Sequence, residues 1–111
     1  MDIISFIKNA FRFIRNLVRV IIRGVFNFAK NVVAWFKNIY NLDKEVDTPF
    51  IADASKFKEA LKTAPTKNVG IFQGVYNEET DEITHNQYLE ADEIDDKTRE
   101  VLGGEPLVVL N

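Results

Sequence analysis

His85 is the one histidine among 111 residues. It lies in the run Thr84-His85-Asn86-Gln87-Tyr88, which carries hydroxyl, imidazole and amide groups on successive residues. An imidazole that titrates at about pH 6.5 is the side chain best suited to general acid–base work. Such a base also needs a nucleophile and an orienting group within hydrogen-bond reach. The chain has two serines, Ser5 and Ser55, both remote from His85 in sequence, and no cysteine. The lack of cysteine excludes a thiol nucleophile, a thiolate zinc site, an iron–sulfur centre and a disulfide scaffold. His85 therefore reads as a strand residue and not as a catalytic base.

Two acidic clusters have the residue types that hold a hard cation. Glu78, Glu79, Asp81 and Glu82 crowd one turn, and Asp92, Glu93, Asp95 and Asp96 crowd a helix start. Neither spacing matches a calcium loop. A solvated turn accounts for the first cluster. The positive end of the helix dipole, which favours acids, accounts for the second. No glycine-rich run is placed to cradle a phosphate. On these residues the expectation is a non-enzymatic protein with no metal and no cofactor.

The elements that carry the remaining charge are more informative. Residues 1–42 hold seven Lys/Arg and one acid, whereas residues 43–111 hold seven Lys/Arg and sixteen acids, within a formal net charge of −3. The basic residues of the first segment are Lys8, Arg12, Arg15, Arg19, Arg23, Lys30 and Lys37. At about 100° per residue they fall within an arc of roughly 80° on a helical wheel. Asn9, Asn16, Asn27, Asn31, Asn38 and Asn41 fill the adjoining arc. Two apolar seams fit an unbroken heptad frame. One is Ile4, Phe11, Val18, Val25, Val32 and Ile39, and the other is Ile7, Ile14, Ile21, Phe28, Trp35 and Leu42. The pattern predicts a single amphipathic helix over 3–42, roughly 60 Å long, with Asp2 as N-cap and Gly24 as its weak point. Its expected apolar interface is Ile7, Phe11, Ile14, Val18, Ile21, Val25, Phe28, Val32, Trp35 and Ile39.

The longest uncharged stretch in 3–42 has six residues, and a membrane span needs roughly 20. A spanning helix is therefore excluded. An acidic start and charges inside the apolar region also argue against a secretory signal. Like charges at Lys8/Arg12, Arg15/Arg19 and Arg19/Arg23 repel one another on a helix. An anionic partner would offset that cost. The leading expectation is a docking or coating protein, cytoplasmic and peripheral to the inner membrane face. Its basic helix would lie on an anionic membrane surface, with Trp35 and Tyr40 at headgroup level. The alternative is a structural subunit of a homo-oligomeric shell, tube or virion-like particle, whose shared core the helix builds. Nucleic acid is disfavoured by a pI of about 5.1 and by the lack of a recognition motif.

The charge sign flips in 43–52, where Pro49 ends any helix, and this stretch reads as a linker. Residues 53–63 read as a short helix capped by Asp53 or Ser55. Residues 69–76 and 82–90 read as a hairpin around the turn 77–81. Residues 91–102 read as a helix that Gly103 and Gly104 stop. The run 107–110 reads as a last buried strand ending at Asn111. The expected fold class is α+β: a long amphipathic N-terminal helix, then a small ββαβ-type module with a preceding short helix. The expected divisions are a basic arm over 1–42, a linker over 43–52 and an acidic module over 53–111.

Overall fold

A computed structural model describes residues 3–14, 16–39 and 41–110. In chain order the elements are α1 (Ile3–Ala10), a 3-10 turn (Phe11–Phe13), β1 (Arg19–Ile21), β2 (Val25–Phe26), a π-helical segment (Phe28–Val33) and α2 (Ala34–Lys37). They continue with β3 (Asp47–Asp53), a 3-10 turn (Ala54–Lys56), α3 (Lys58–Leu61), β4 (Val69–Asn77), β5 (Glu82–Ala91), β6 (Glu93–Ile94), α4 (Asp96–Leu102) and β7 (Leu107–Val109). The fold is mixed α+β. Five strands form one sheet in the order β1-β5-β4-β3-β7, and β2 pairs with β6 in a separate ribbon.

The hairpin expected from the alternating runs is β4 and β5, paired antiparallel from Val69↔Ala91 to Asn77↔Glu82. Gly74 leaves no room for a side chain, because a Cβ there would lie 2.6 Å from the His85 carbonyl oxygen and 3.1 Å from the Phe50 ring. Asp95 caps α4 by accepting a hydrogen bond from the Thr98 N–H at 3.0 Å. Gly103, at φ 56°, ends it in the left-handed conformation that glycine adopts without a Cβ clash. Residues 47–52, read from sequence as linker, lie in β3, between β4 and β7. Pro49 is tolerated because it stands at the end of the β3–β7 ladder. There its carbonyl accepts from the Leu110 N–H at 2.8 Å, and the bond its missing N–H would make is the last in the row.

The 40-residue helix is the main correction. The N-terminal helical stretch covers Ile3–Ala10 plus the turn Phe11–Phe13, and the molecule's longest extent is 37 Å. The run Val18-Arg19-Val20-Ile21-Ile22 explains the break. β-branched residues lose rotamer freedom in a helix and fit a pleated sheet. This run lies parallel to β5, with Arg19 opposite Tyr88 and Ile21 opposite Glu90. Gly24, at φ 102°, turns the chain between β1 and β2. The positions Asp2, Arg15, Tyr40 and Asn111 lie outside the described residues.

The two faces of the sheet are covered by different parts of the first forty residues. On one face Ile7, Ala10 and Phe11 pack with Phe50, Phe57, Phe72, Tyr76 and Tyr88. On the other, Phe26 and Val32 pack with Ile51, Ile71, Leu89 and Leu102. The radius of gyration is 13.0 Å, close to the roughly 13 Å expected for a folded domain of this length.

Candidate functional site

Phe11 organises the most distinctive surface. Its ring packs edge-on against Phe57 at 5.1 Å and against Phe72 at 5.2 Å. Because Phe11 and Phe57 are buried, their chain neighbours Arg12, Lys56 and Lys58 are turned out to solvent at the same place. These three cations line a groove of about 460 Å³ together with Ser55, Glu59 and Ala60. Lys8 joins them from α1, its ammonium 5.9 Å from the centre of the Phe57 ring, within range of a cation–π attraction. None of these four cations makes an ion pair among the described residues. The Ser55 hydroxyl donates to Asp53 at 2.7 Å. Phe6 and Phe13 stand out of the same helical stretch, 39% and 77% exposed.

A second groove, of about 900 Å³, adjoins it. Arg12, Phe13 and Asn16 line it on one side, and Thr80, Asp81 and Glu82 of the acidic turn line it too. Arg12 therefore stands between a basic groove and an acidic one. Within the turn, the Tyr76 hydroxyl donates to Asp81. Burial and that carboxylate push the Tyr76 phenol up to about 12. No group of three or more His, Cys, Asp or Glu side chains converges among the described residues. His85 is exposed on β5, its Nδ1 3.1 Å from the Thr84 hydroxyl.

The other cations of the N-terminal segment are dispersed. Arg19 on β1 has its guanidinium 5.1 Å from the Tyr88 ring centre, and 3.8 Å from the Glu90 carboxylate. Arg23 is exposed at the bend. Lys30 and Lys37 are exposed on the segment whose Phe28, Val32 and Phe36 cover the opposite sheet face. The expected interface residues divide similarly. Ile7, Phe11 and Val32 are buried in the chain's own core, and Ile14 and Phe28 are packed against it. Trp35 stacks edge-on with Phe36 at 4.8 Å, and Ile39 is half-buried. Val18, Ile21 and Val25 are 50%, 51% and 44% exposed.

Lys56 and Lys58 were not picked out from the sequence. The signal was the triplet Lys56-Phe57-Lys58, which alternates an apolar residue with two cations inside an otherwise acidic half. The buried carboxylate of Glu90 was missed as well. It accepts from the Thr66 N–H, from the Thr66 hydroxyl at 2.9 Å and from the Lys67 N–H at 3.2 Å. Burial alone would raise its pKa. The Thr66 and Lys67 donors and Arg19 outweigh burial and hold it below the usual carboxylate value.

Among the described residues no helix is long and apolar enough to cross a membrane. No known protein family, curated protein or solved structure matches this chain.

Proposed function

We propose that the protein is a non-enzymatic docking protein that binds an anionic membrane surface through the basic face around Phe57. The observation that carries this reading is the gathering of Lys8, Arg12, Lys56 and Lys58 at one place, with no ion pair among the described residues. Like charges held together by the packing beneath them repel, and phosphate-bearing headgroups relieve that repulsion. Phe13, 77% exposed and next to Arg12 in the adjoining groove, supplies apolar contact beside the cations, the combination that favours the headgroup boundary. In this reading the docking surface is a folded face of α1, the 3-10 turn after it and the segment 55–60. The long helix has no part in it.

Co-sedimentation with vesicles tests the proposal. Vesicles of phosphatidylserine and phosphatidylcholine should retain the protein, and phosphatidylcholine alone should not. Replacing Arg12, Lys56 and Lys58 with Gln should weaken binding by about 1 kcal/mol per charge, with the fold retained because all three side chains are exposed. Equal retention by both vesicle types, or by the triple variant, would refute the proposal.

A further inference from the structure

Strand β1 forms one edge of the sheet and pairs with β5 alone. In the run Val18-Arg19-Val20-Ile21-Ile22 every residue but Arg19 is β-branched and apolar. The Tyr88 N–H donates to the Val18 carbonyl at 2.7 Å, and the Ile22 N–H donates to the Glu90 carbonyl at 2.8 Å. Backbone groups alternate sides along a strand, so the N–H and C=O of Arg19 and Ile21 point away from β5. No hydrogen bond from another element reaches them among the described residues. Val18 and Ile21 are 50% and 51% exposed. Such an edge is a template for another strand unless charge, proline or a bulge blunts it. This one has no proline, and its Arg19 is folded back over the Tyr88 ring, 5.1 Å from the ring centre.

The side chains divide cleanly between the two faces. Arg19 lies with Tyr88 on the α1 side, and Ile21, two residues on, lies there too. Val20 and Ile22 pack into the opposite core, and Val18 shares their face.

We infer that β1 of one copy pairs antiparallel with β1 of a second copy about a two-fold axis at Val20, joining two five-stranded sheets into one. A single register satisfies the backbone and both faces. It sets Arg19 opposite Ile21 of the second copy, and Ile21 opposite its Arg19. Outward groups then meet outward groups, each pair exchanging both hydrogen bonds. On the other face Val18 meets Ile22, Val20 meets Val20, and Ile22 meets Val18, an unbroken ladder of β-branched pairs. The half-exposed Val18 and Ile21 are both covered.

Charge selects this register. Centring the pairing on Arg19 would set Arg19 opposite itself, and centring it on Ile21 would set Arg19 opposite Arg23. Like charges directly opposed across a seam are destabilising. Centred on Val20, each Arg19 faces an isoleucine and keeps its own Glu90 carboxylate at 3.8 Å. The two Arg23 residues then stand six positions apart along the seam, roughly 20 Å, well beyond the Debye length of about 8 Å at physiological salt. A two-fold contact uses the same patch on both copies and closes at the dimer. The seam shares no residue with the basic face around Phe57, so dimerisation and membrane docking stand or fall separately.

Sedimentation of the wild type should give a mass that rises with concentration from 12.8 kDa to twice that and no further. Ile21→Pro removes an outward N–H and no bond within the sheet, and should hold the protein at the monomer mass. Cysteine variants read the register, because the chain has no cysteine of its own. Val20 stands opposite itself in a non-hydrogen-bonded pair, where Cα atoms are about 4.5 Å apart, within disulfide reach. Val18 stands four positions from its counterpart, roughly 13 Å. Under mild oxidation Val20→Cys should therefore form a covalent dimer far faster than Val18→Cys, although Val18 is the more exposed of the two. This arm stands if the proline variant fails to fold. A wild type that stays monomeric across the concentration series, or that grows beyond the dimer, overturns the inference. So does a folded Ile21→Pro variant that still dimerises, or a Val18→Cys variant that crosslinks as fast as Val20→Cys.

Discussion

Glu90 shows how much one residue organises. Its carboxylate ties the loop at Thr66 and Lys67 to β5 and faces Arg19 on β1. Its neighbour Tyr88 is pushed up to about 12 by burial and then by Glu90, with Arg19 acting against both. Because the folded carboxyl titrates below its ordinary value, the stability it contributes is fully present above about pH 4.3 and is lost as pH falls through the lower folded value. Glu90→Gln should destabilise the protein by about 1–3 kcal/mol at neutral pH, measured by urea unfolding. The variant's stability should also fall less steeply on acidification. Parallel acid limbs for variant and wild type would assign the acid sensitivity to another carboxylate. Gly74→Ala should cost about 1–3 kcal/mol, since its Cβ would press on the His85 carbonyl oxygen and the Phe50 ring. An unchanged urea midpoint would mean that β4 and β5 separate there without penalty.

At the scale of elements, the first forty residues fold as separate pieces because each piece finds its own apolar seat. Two asparagines of the stripe on the helical wheel, Asn27 and Asn31, serve instead as local caps. Asn27 Oδ1 accepts from the Lys30 N–H at 2.9 Å, and Asn31 Oδ1 accepts from the Asn27 N–H at 2.7 Å, which starts the π-helical segment. Asn27→Ala should therefore cost about 1 kcal/mol, read as a shift in thermal midpoint. A continuous helix through this region would instead gain from the same change, because alanine is the better helix former. Phe11→Ala should cost about 3–5 kcal/mol, since the ring is buried among Phe50, Phe57 and Phe72. Hydrogen exchange in this variant should rise in both α1 and the segment 54–61. A rise confined to α1 would mean that the Phe11–Phe57 contact does not join the two segments.

At the scale of the whole molecule, charge and apolar surface are sorted into two places. Phe13 lies beside Arg12, and Val18 and Ile21 stand exposed at β1. Salt should weaken docking at the first place, because exposed charges are screened within about 3 Å at 1 M ionic strength. High salt should release the protein from anionic vesicles. A vesicle pull-down over a series of salt steps checks this. Unchanged retention at high salt would assign the binding to apolar contact instead.

The hairpin of β4 and β5, the later part of the helix expected over 91–102 and the strand β7 were legible because their signals are local, whereas Glu93–Ile94, expected in that helix, form β6. A cap, a left-handed glycine and a two-residue alternation act within a few residues of one another. The segment 3–42 was not legible in this way. Twenty-five of its forty residues are apolar, so a heptad frame and a strand alternation both find matches in Val18-Arg19-Val20-Ile21-Ile22. β3 was hidden by a charge flip and Pro49, and pairing with β4 and β7 makes it a strand. The sequence by itself determined the inventory. The chain has one histidine, no cysteine, and cations and acids concentrated in different segments. Only the tertiary structure decided which cations meet. Lys30 and Lys37 share the basic segment with Arg12 but end on the other face of the sheet. Lys56 and Lys58 come from the acidic half and join Arg12, because Phe11 and Phe57 bury their rings against each other and burial takes no account of separation along the chain.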